Sequence, residues 1–173
     1  MVDGTSLYLV LLLFPALLAF GGMMDLVTMT IPNKVSIALV ITFVLAALAS
    51  AMPLETFGVH VAVGFGIFVI CLGLFAVNGI GGGDAKLIPA AALWIGFEYL
   101  FEYILGIVLL GGLLSLMLIG YRSMMPPLFL TRQPWAMRLH STDTGIPYGI
   151  AIGGSGLLIF PATPWFSLAA TSL

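Results

Sequence analysis

Asp25 and Asp84 are two of only seven acidic residues in this 173-residue chain, and each stands at the edge of a hydrophobic span. The first opens the stretch Asp25-Leu-Val-Thr-Met-Thr-Ile31-Pro32-Asn33; the second closes a glycine run, Gly81-Gly82-Gly83-Asp84-Ala85-Lys86. Ionisable groups at membrane depth are costly and mark function. Two carboxylates that can meet have the means to hydrolyse a peptide bond. One, ionised, acts as general base on a water, and the other, protonated, hydrogen-bonds the scissile carbonyl. Like charges about 3 Å apart cannot both ionise, so such a pair shares a proton and titrates as a unit. The glycines before Asp84 would let an extended peptide backbone come close to its carboxylate.

Each aspartate also has a structural explanation. Asp84 could N-cap the helix that follows, and Asp25 could end its span at the water interface ahead of an ordinary Ile31-Pro32-Asn33 turn. Occurrence of both intact motifs on one side of a membrane favours function. Lys86 could bind a substrate carboxylate, tune the pair, or anchor the chain at the interface. His60 falls near the opposite end of its span and His140 in a basic loop, so neither joins the aspartates. Cys71, the one cysteine, sits mid-span, and no histidine, cysteine or carboxylate cluster suggests a metal site. No cofactor is expected.

The elements that must position these residues are membrane helices. Hydrophobic residues make up 61% of the chain and charged ones 7%, against about 25% charged in a soluble domain; mean hydropathy is +1.22. With roughly 20 apolar residues per crossing, the length holds about six spans and no soluble domain, so residues 1–173 are expected to form one membrane-embedded unit. The segments are Leu7–Met24, Val35–Met52, Phe57–Val77, Leu87–Phe97, Tyr103–Tyr121 and Ile146–Leu168. The start, Met1-Val-Asp-Gly-Thr-Ser, has no basic region and no clear cleavage site after the first apolar run, which is expected to be retained. The fourth segment is too short to cross unaided. Extended back to Gly83 it reaches about 16 residues, or roughly 24 Å of helix, with Asp84 inside the boundary and the glycine run as an irregularity buried in protein or facing a watery cavity.

Lys34, Lys86, Arg122, Arg132 and Arg138 follow the first, third and fifth spans, whereas Asp3, Glu55, Glu98 and Glu102 fall on the other side. The positive-inside rule then puts both termini outside and both aspartates on the cytoplasmic face. The long connection Arg122–Gly145, with Pro126-Pro127 and Pro134-Trp135, suits a headgroup-contacting loop with an interfacial tryptophan, the other reading being a substrate platform. Gly149 and Gly153, four apart, suit close helix packing. A net charge of -2 implies no charged partner such as nucleic acid.

Three stretches in order resemble the type IV prepilin peptidases, membrane aspartyl proteases of the GxGD class. They are Asp25 with Ile31-Pro32-Asn33, Gly81-Gly82-Gly83-Asp84-Ala85-Lys86, and Ile146-Pro147-Tyr148-Gly149-Ile150-Ala151-Ile152 opening the last span. The resemblance runs from about residue 7 to 160. It implies a catalytic dyad of Asp25 and Asp84 that removes short basic leaders from prepilins or pseudopilins at the cytoplasmic face of a bacterial inner membrane. Ile31, Pro32, Asn33, Gly81, Gly83, Lys86, Pro147, Tyr148 and Gly149 would bind substrate or shape the site. The longer bifunctional members carry an insertion with paired Cys-x-x-Cys motifs and also methylate the mature pilin. Here the first connection, Asp25–Lys34, spans about ten residues and holds no cysteine, so zinc binding there and methyl transfer are not supported. The compact form resembles the CpaA/TadV-like peptidases of tight-adherence (Flp-type) pilus systems. Two other readings stand beside this one. A small transporter or proton-relay subunit could use the same acids, but would need polar groups continuing to the opposite face, where only His60, Thr42 and Ser115 stand out. Intramembrane cleavage of transmembrane helices, as by presenilin-like enzymes, would set the aspartates deeper on longer spans.

Overall fold

The computed structural model describes residues 4–126 and 130–166, with backbone alone for residues 4–10. The expectations for Asp3, Pro127, the two chain ends and the last two residues of the sixth span lie outside these residues. Seven α-helices follow one another: α1 Gly4–Thr28, α2 Asn33–Ala49, α3 Leu54–Ala76, α4 Asp84–Ile95, α5 Leu100–Ser123, α6 Pro134–His140 and α7 Gly149–Ile159, with a single 3-10 turn at Phe160–Ala162. No strand occurs among the described residues.

Three helices contain stretches long and apolar enough to cross a bilayer: Leu11–Thr28 of α1, all of α3 and all of α5. Helix α3 is apolar all round, yet Gly64 and Cys71 are its only buried residues. A helix with that composition and so little of it covered by protein is built to face hydrocarbon. The chain is thus an integral membrane protein. Helices α2, α4 and α7 are shorter, at 17, 12 and 11 residues. Helices α4 and α7 fill the middle of the bundle, and α2 covers one side of α4 while its other face is exposed. Eight of the 12 residues of α4 are buried, and α4 packs on α3, α2 and α7, while α1 packs on α7 and α2.

Around α4 the core is aromatic. Trp94 is fully buried, with Phe14 5.1 Å and Trp165 5.3 Å away between ring centroids and Phe43 edge-on at 5.9 Å. Buried indole N–H groups need acceptors. Trp94 Nε1 donates to the Leu39 carbonyl at 2.9 Å, and Trp165 Nε1 to the Trp94 carbonyl at 2.7 Å. These bonds tie α2, α4 and the segment after α7 together at the end of the bundle away from Asp25 and Asp84. His60 belongs there too, its Nδ1 lying 2.6 Å from the Leu93 carbonyl oxygen.

Several boundaries differ from the sequence reading for local reasons. Helix α1 does not stop at Met24 but carries Asp25 in its last turns and ends at Thr28, so the first connection is residues 29–32 and not the ten from Asp25 to Lys34. A hydrophobicity scan ends a span at a carboxylate. Here the carboxylate faces protein, and the helix ends where Met29 turns into the left-handed region (φ 57°), its N–H donating to the Asp25 carbonyl. Helix α4 begins at Asp84 and stops before Gly96, whose φ of +76° suits glycine. At about 18 Å it is close in length to the Leu87–Phe97 reading of the fourth span and shorter than the extended one. Ile146, Pro147 and Tyr148 precede α7 and lie outside it. The long connection contains α6, which no apolar run announced.

The Trp94 contacts make a stability prediction. Trp94→Ala should lower the unfolding free energy of the detergent-solubilised protein by about 3–5 kcal/mol. Leu116→Ala, on the exposed face of α5, should stay within about 0.5 kcal/mol. Denaturant unfolding of the two variants checks the contrast.

Candidate active site

Antiparallel packing brings the C-terminal ends of α1, α3 and α5 to the same end of the bundle as the N-terminal ends of α2, α4 and α7. Three hydrogen bonds record the meeting. Gly149 N–H donates to Asp25 Oδ2 at 2.7 Å, Lys86 Nζ to Asn33 Oδ1 at 2.9 Å, and Arg138 Nη1 to the Val27 carbonyl at 2.8 Å. Between these ends lies a cavity of about 290 Å³ lined by Asp25, Met29, Thr30, Ile31, Asn33, Gly81, Gly82, Gly83, Asp84 and Ile146. The two aspartates, 59 positions apart in sequence (84 − 25), line the same cavity.

Asp25 is 7% exposed, and its placement depends on α7. Gly149 is the first residue of α7, so its N–H is one of the donors that a helix leaves unpaired. The Asp25 carboxylate takes that donor and sits at the positive end of the helix dipole. Only glycine fits. A Cβ at position 149 would lie 2.8 Å from Asp25 Cβ and 2.9 Å from Oδ2, closer than real side chains approach. One turn on, a Cβ at Gly153 would lie 2.9 Å from the Leu18 carbonyl oxygen. This agrees with the close-packing reading of the Gly149/Gly153 pair and adds a contact to the carboxylate that the spacing did not reveal.

Asp84 opens α4 itself, in the first turn where a carboxylate is favoured. The N-cap position is Gly83, with no side-chain capping bond. The glycine run is not required by backbone handedness, since Gly96 is the one glycine with positive φ among the described residues. Its reason is space. A Cβ at Gly81 would come 3.0 Å from Asp84 Oδ2, and one at Gly83 3.0 Å from Ile31 Cβ. The first motif packs directly against the second.

Of the expected site residues, Asp25, Ile31, Asn33, Gly81, Gly83 and Asp84 line the cavity. Pro32 precedes α2 in extended conformation, and Pro147 is fully buried beside the cavity-lining Ile146. Lys86 stands at the rim, exposed and bonded to Asn33. Tyr148 departs from the expectation. Its ring lies against Gly111 of α5 and its hydroxyl is 3.3 Å from Ser115 Oγ, so it braces α7 on α5 and does not line the cavity. Met29, Thr30, Gly82 and Ile146 line it without having been named as site residues; Met29 and Thr30 fill a short connection that leaves them nowhere else to go, and Gly82 and Ile146 stand inside the second and third motifs.

The basic connection is also pinned inward. Arg122 donates from Nε to the Leu139 carbonyl at 2.8 Å and from Nη2 to the carbonyls of Thr144 and Gly145 at 2.9 and 3.0 Å. Arg138 satisfies a carbonyl at the C-terminal end of α1, where cations are favoured. Two of the three arginines thus tie the loop to the bundle beside the aspartates. No group of three or more histidine, cysteine, aspartate or glutamate side chains able to hold a metal ion occurs among the described residues.

An all-helical membrane protein with two acids in one cavity beside a basic loop defines a narrow class. The type IV leader peptidase family model matches residues 12–116, and the chain belongs to that family. The matched region contains both aspartates and ends before the Ile146–Ile152 stretch. Comparison with curated proteins and with solved structures gave no significant match. The protein is therefore a membrane protease of the leader peptidase family.

Because Gly149 and Asp25 touch, Gly149→Ala should lower peptidase activity roughly 100-fold, the scale of a ~1 Å misplacement in an active site. Gly112→Ala, where a new Cβ meets nothing within 4 Å, should leave activity unchanged. Initial rates at equal membrane levels provide the measurement.

Proposed function

We propose that this chain is a membrane aspartyl endopeptidase that removes the leader from type IV or Flp-type prepilins or pseudopilins, with Asp25 and Asp84 as its catalytic pair. The observation that carries the reading is that both carboxylates, from separate motifs, line one cavity at the end of the bundle that holds Lys34, Lys86, Arg122 and Arg138. The positive-inside rule makes that end cytoplasmic. The six apolar helices α1–α5 and α7 then form a single membrane-embedded domain in the bacterial inner membrane, with the termini outside and short α4 completed by the glycine run.

In the reaction the pair holds one proton. The ionised carboxylate removes a proton from a water as its oxygen adds to the scissile carbonyl carbon, while the protonated carboxyl donates to the carbonyl oxygen. Collapse of the tetrahedral intermediate breaks the C–N bond, and the departing amine takes a proton from the pair. Ile31, Asn33, Gly81 and Gly83 shape the walls against which an extended leader junction lies. Lys86 and Asn33 form the rim.

The relay alternative lacks a continuing polar path. Thr42 and Ser115 turn their hydroxyls onto carbonyls of their own helices, Ala38 and Gly111, and His60 is held at Leu93 near the far end.

Asp25→Asn and Asp84→Asn should each abolish shortening of a co-expressed precursor, read as a gel shift, with both variants inserted at wild-type level. Lys86→Ala should lose less. A variant that still cuts removes that aspartate from the pair, and wild type that cuts none of several pilin precursors moves the relay reading ahead.

A further inference from the structure

Helices α2 and α3 are consecutive, yet they pack little against each other, and each lies on α4. They converge only at the end away from the aspartates, where Phe43 stacks on Phe57 at 5.8 Å and contacts His60 at 5.6 Å. Toward the aspartate end they stand apart over the small-residue face of α4, Pro89 and Ala90, leaving an open apolar groove of about 650 Å³. Its walls are Ile37, Val40, Ile41 and Val44 on one side and Val61, Phe65 and Phe68 on the other. From Asn33 to Val44 it runs about 16 Å, or three helical turns.

Two observations say what belongs there. The groove and the aspartate cavity share Asn33, and Lys86, bonded to Asn33, stands at that end of the groove, so a chain running from the cavity into the groove passes the Lys86–Asn33 pair. The walls are apolar, with several large side chains open to the membrane, and suit a hydrocarbon-embedded partner.

The geometry points to the α2–α3–α4 groove as the seat of the substrate's own transmembrane helix, held beside the enzyme in the bilayer while the segment ahead of it reaches the aspartates past Lys86. This inference rests on the peptidase reading. The helix it fits presents apolar side chains at three- and four-residue spacing to the walls. The groove thus selects substrates by the segment that stays in the membrane, and the cavity selects the bond.

The test uses the full-length enzyme and, as probe, a membrane-inserted precursor with a short basic leader ahead of one hydrophobic helix. A photocrosslinking residue at Ile41 or Phe65 of an Asp84→Asn enzyme should capture the hydrophobic helix of the probe, and the same residue at Leu116 or Ile119 on the lipid face of α5 should not. In the active enzyme, Val40→Trp should cut the cleavage rate about tenfold or more, the scale of excluding one large apolar side chain from its seat. Leu116→Trp should leave it unchanged. Capture at α5 in place of the groove, or crosslinks to lipid alone at Ile41 and Phe65, overturns the inference while wild-type cleavage keeps the peptidase reading. Wild type that cuts no precursor overturns both.

Discussion

The close approach of α7 to α1, sealed by the bond from Gly149 N–H to Asp25 Oδ2, is the constraint on which the rest of the site depends. A carboxylate 7% exposed in a membrane helix is tenable only with a donor, and a helix N-terminus has donors to spare. Each end supplies what the other lacks. A hydrogen bond to a charged group contributes about 1.5–3 kcal/mol, and this one also sets where the carboxylate points. The contact tolerates no Cβ at position 149, nor at 153 one turn later, so the small residues of α7 and the aspartate of α1 form one packing unit.

The second carboxylate is placed by the same physics in a different arrangement. Asp84 occupies the first turn of its own helix, and the glycines ahead of it make room for Ile31 and for the carboxylate itself. The cavity is thus framed by the N-terminal ends of α4 and α7, both favourable to negative charge. Arg138 serves the complementary end, accepting the role of cap for α1 at Val27. A short central helix makes this possible. Because α4 stops near 18 Å, its N-terminus sits within reach of the neighbouring helix ends, and irregular backbone at that level lines a cavity and not lipid.

Around this frame the long helices α1, α3 and α5 and the outer face of α2 meet hydrocarbon, and the short α4 and α7 fill the centre. The aromatic core at Trp94 holds the far end closed, so α2 and α3 can splay at the aspartate end without loss of the fold. Rigidity at one end and openness at the other follow from where the bulky residues lie: Trp94, Trp165, Phe43 and Phe14 cluster together, whereas the floor between α2 and α3 carries Pro89 and Ala90.

Composition and spacing alone determined that this is a helical membrane protein, which end of each helix carries positive charge, and that two aspartates in motif contexts face the same side. Those properties are local or additive along the chain: hydrophobic length, charge per connection, residue order. Extending the fourth span back to Gly83 came within one residue of the start of α4, whereas the run of α1 past Asp25 and the late start of α7 at Gly149 were not legible, because a hydropathy count treats a carboxylate as solvated and cannot see the helix end that partners it. The part played by Gly149, the withdrawal of Tyr148 to Ser115 on α5, the inward turn of Arg122 and Arg138, and the cleft between α2 and α3 were decided only by tertiary structure. Each depends on residues tens of positions apart, or on two neighbouring helices failing to pack, and no local pattern encodes a distance across the bundle.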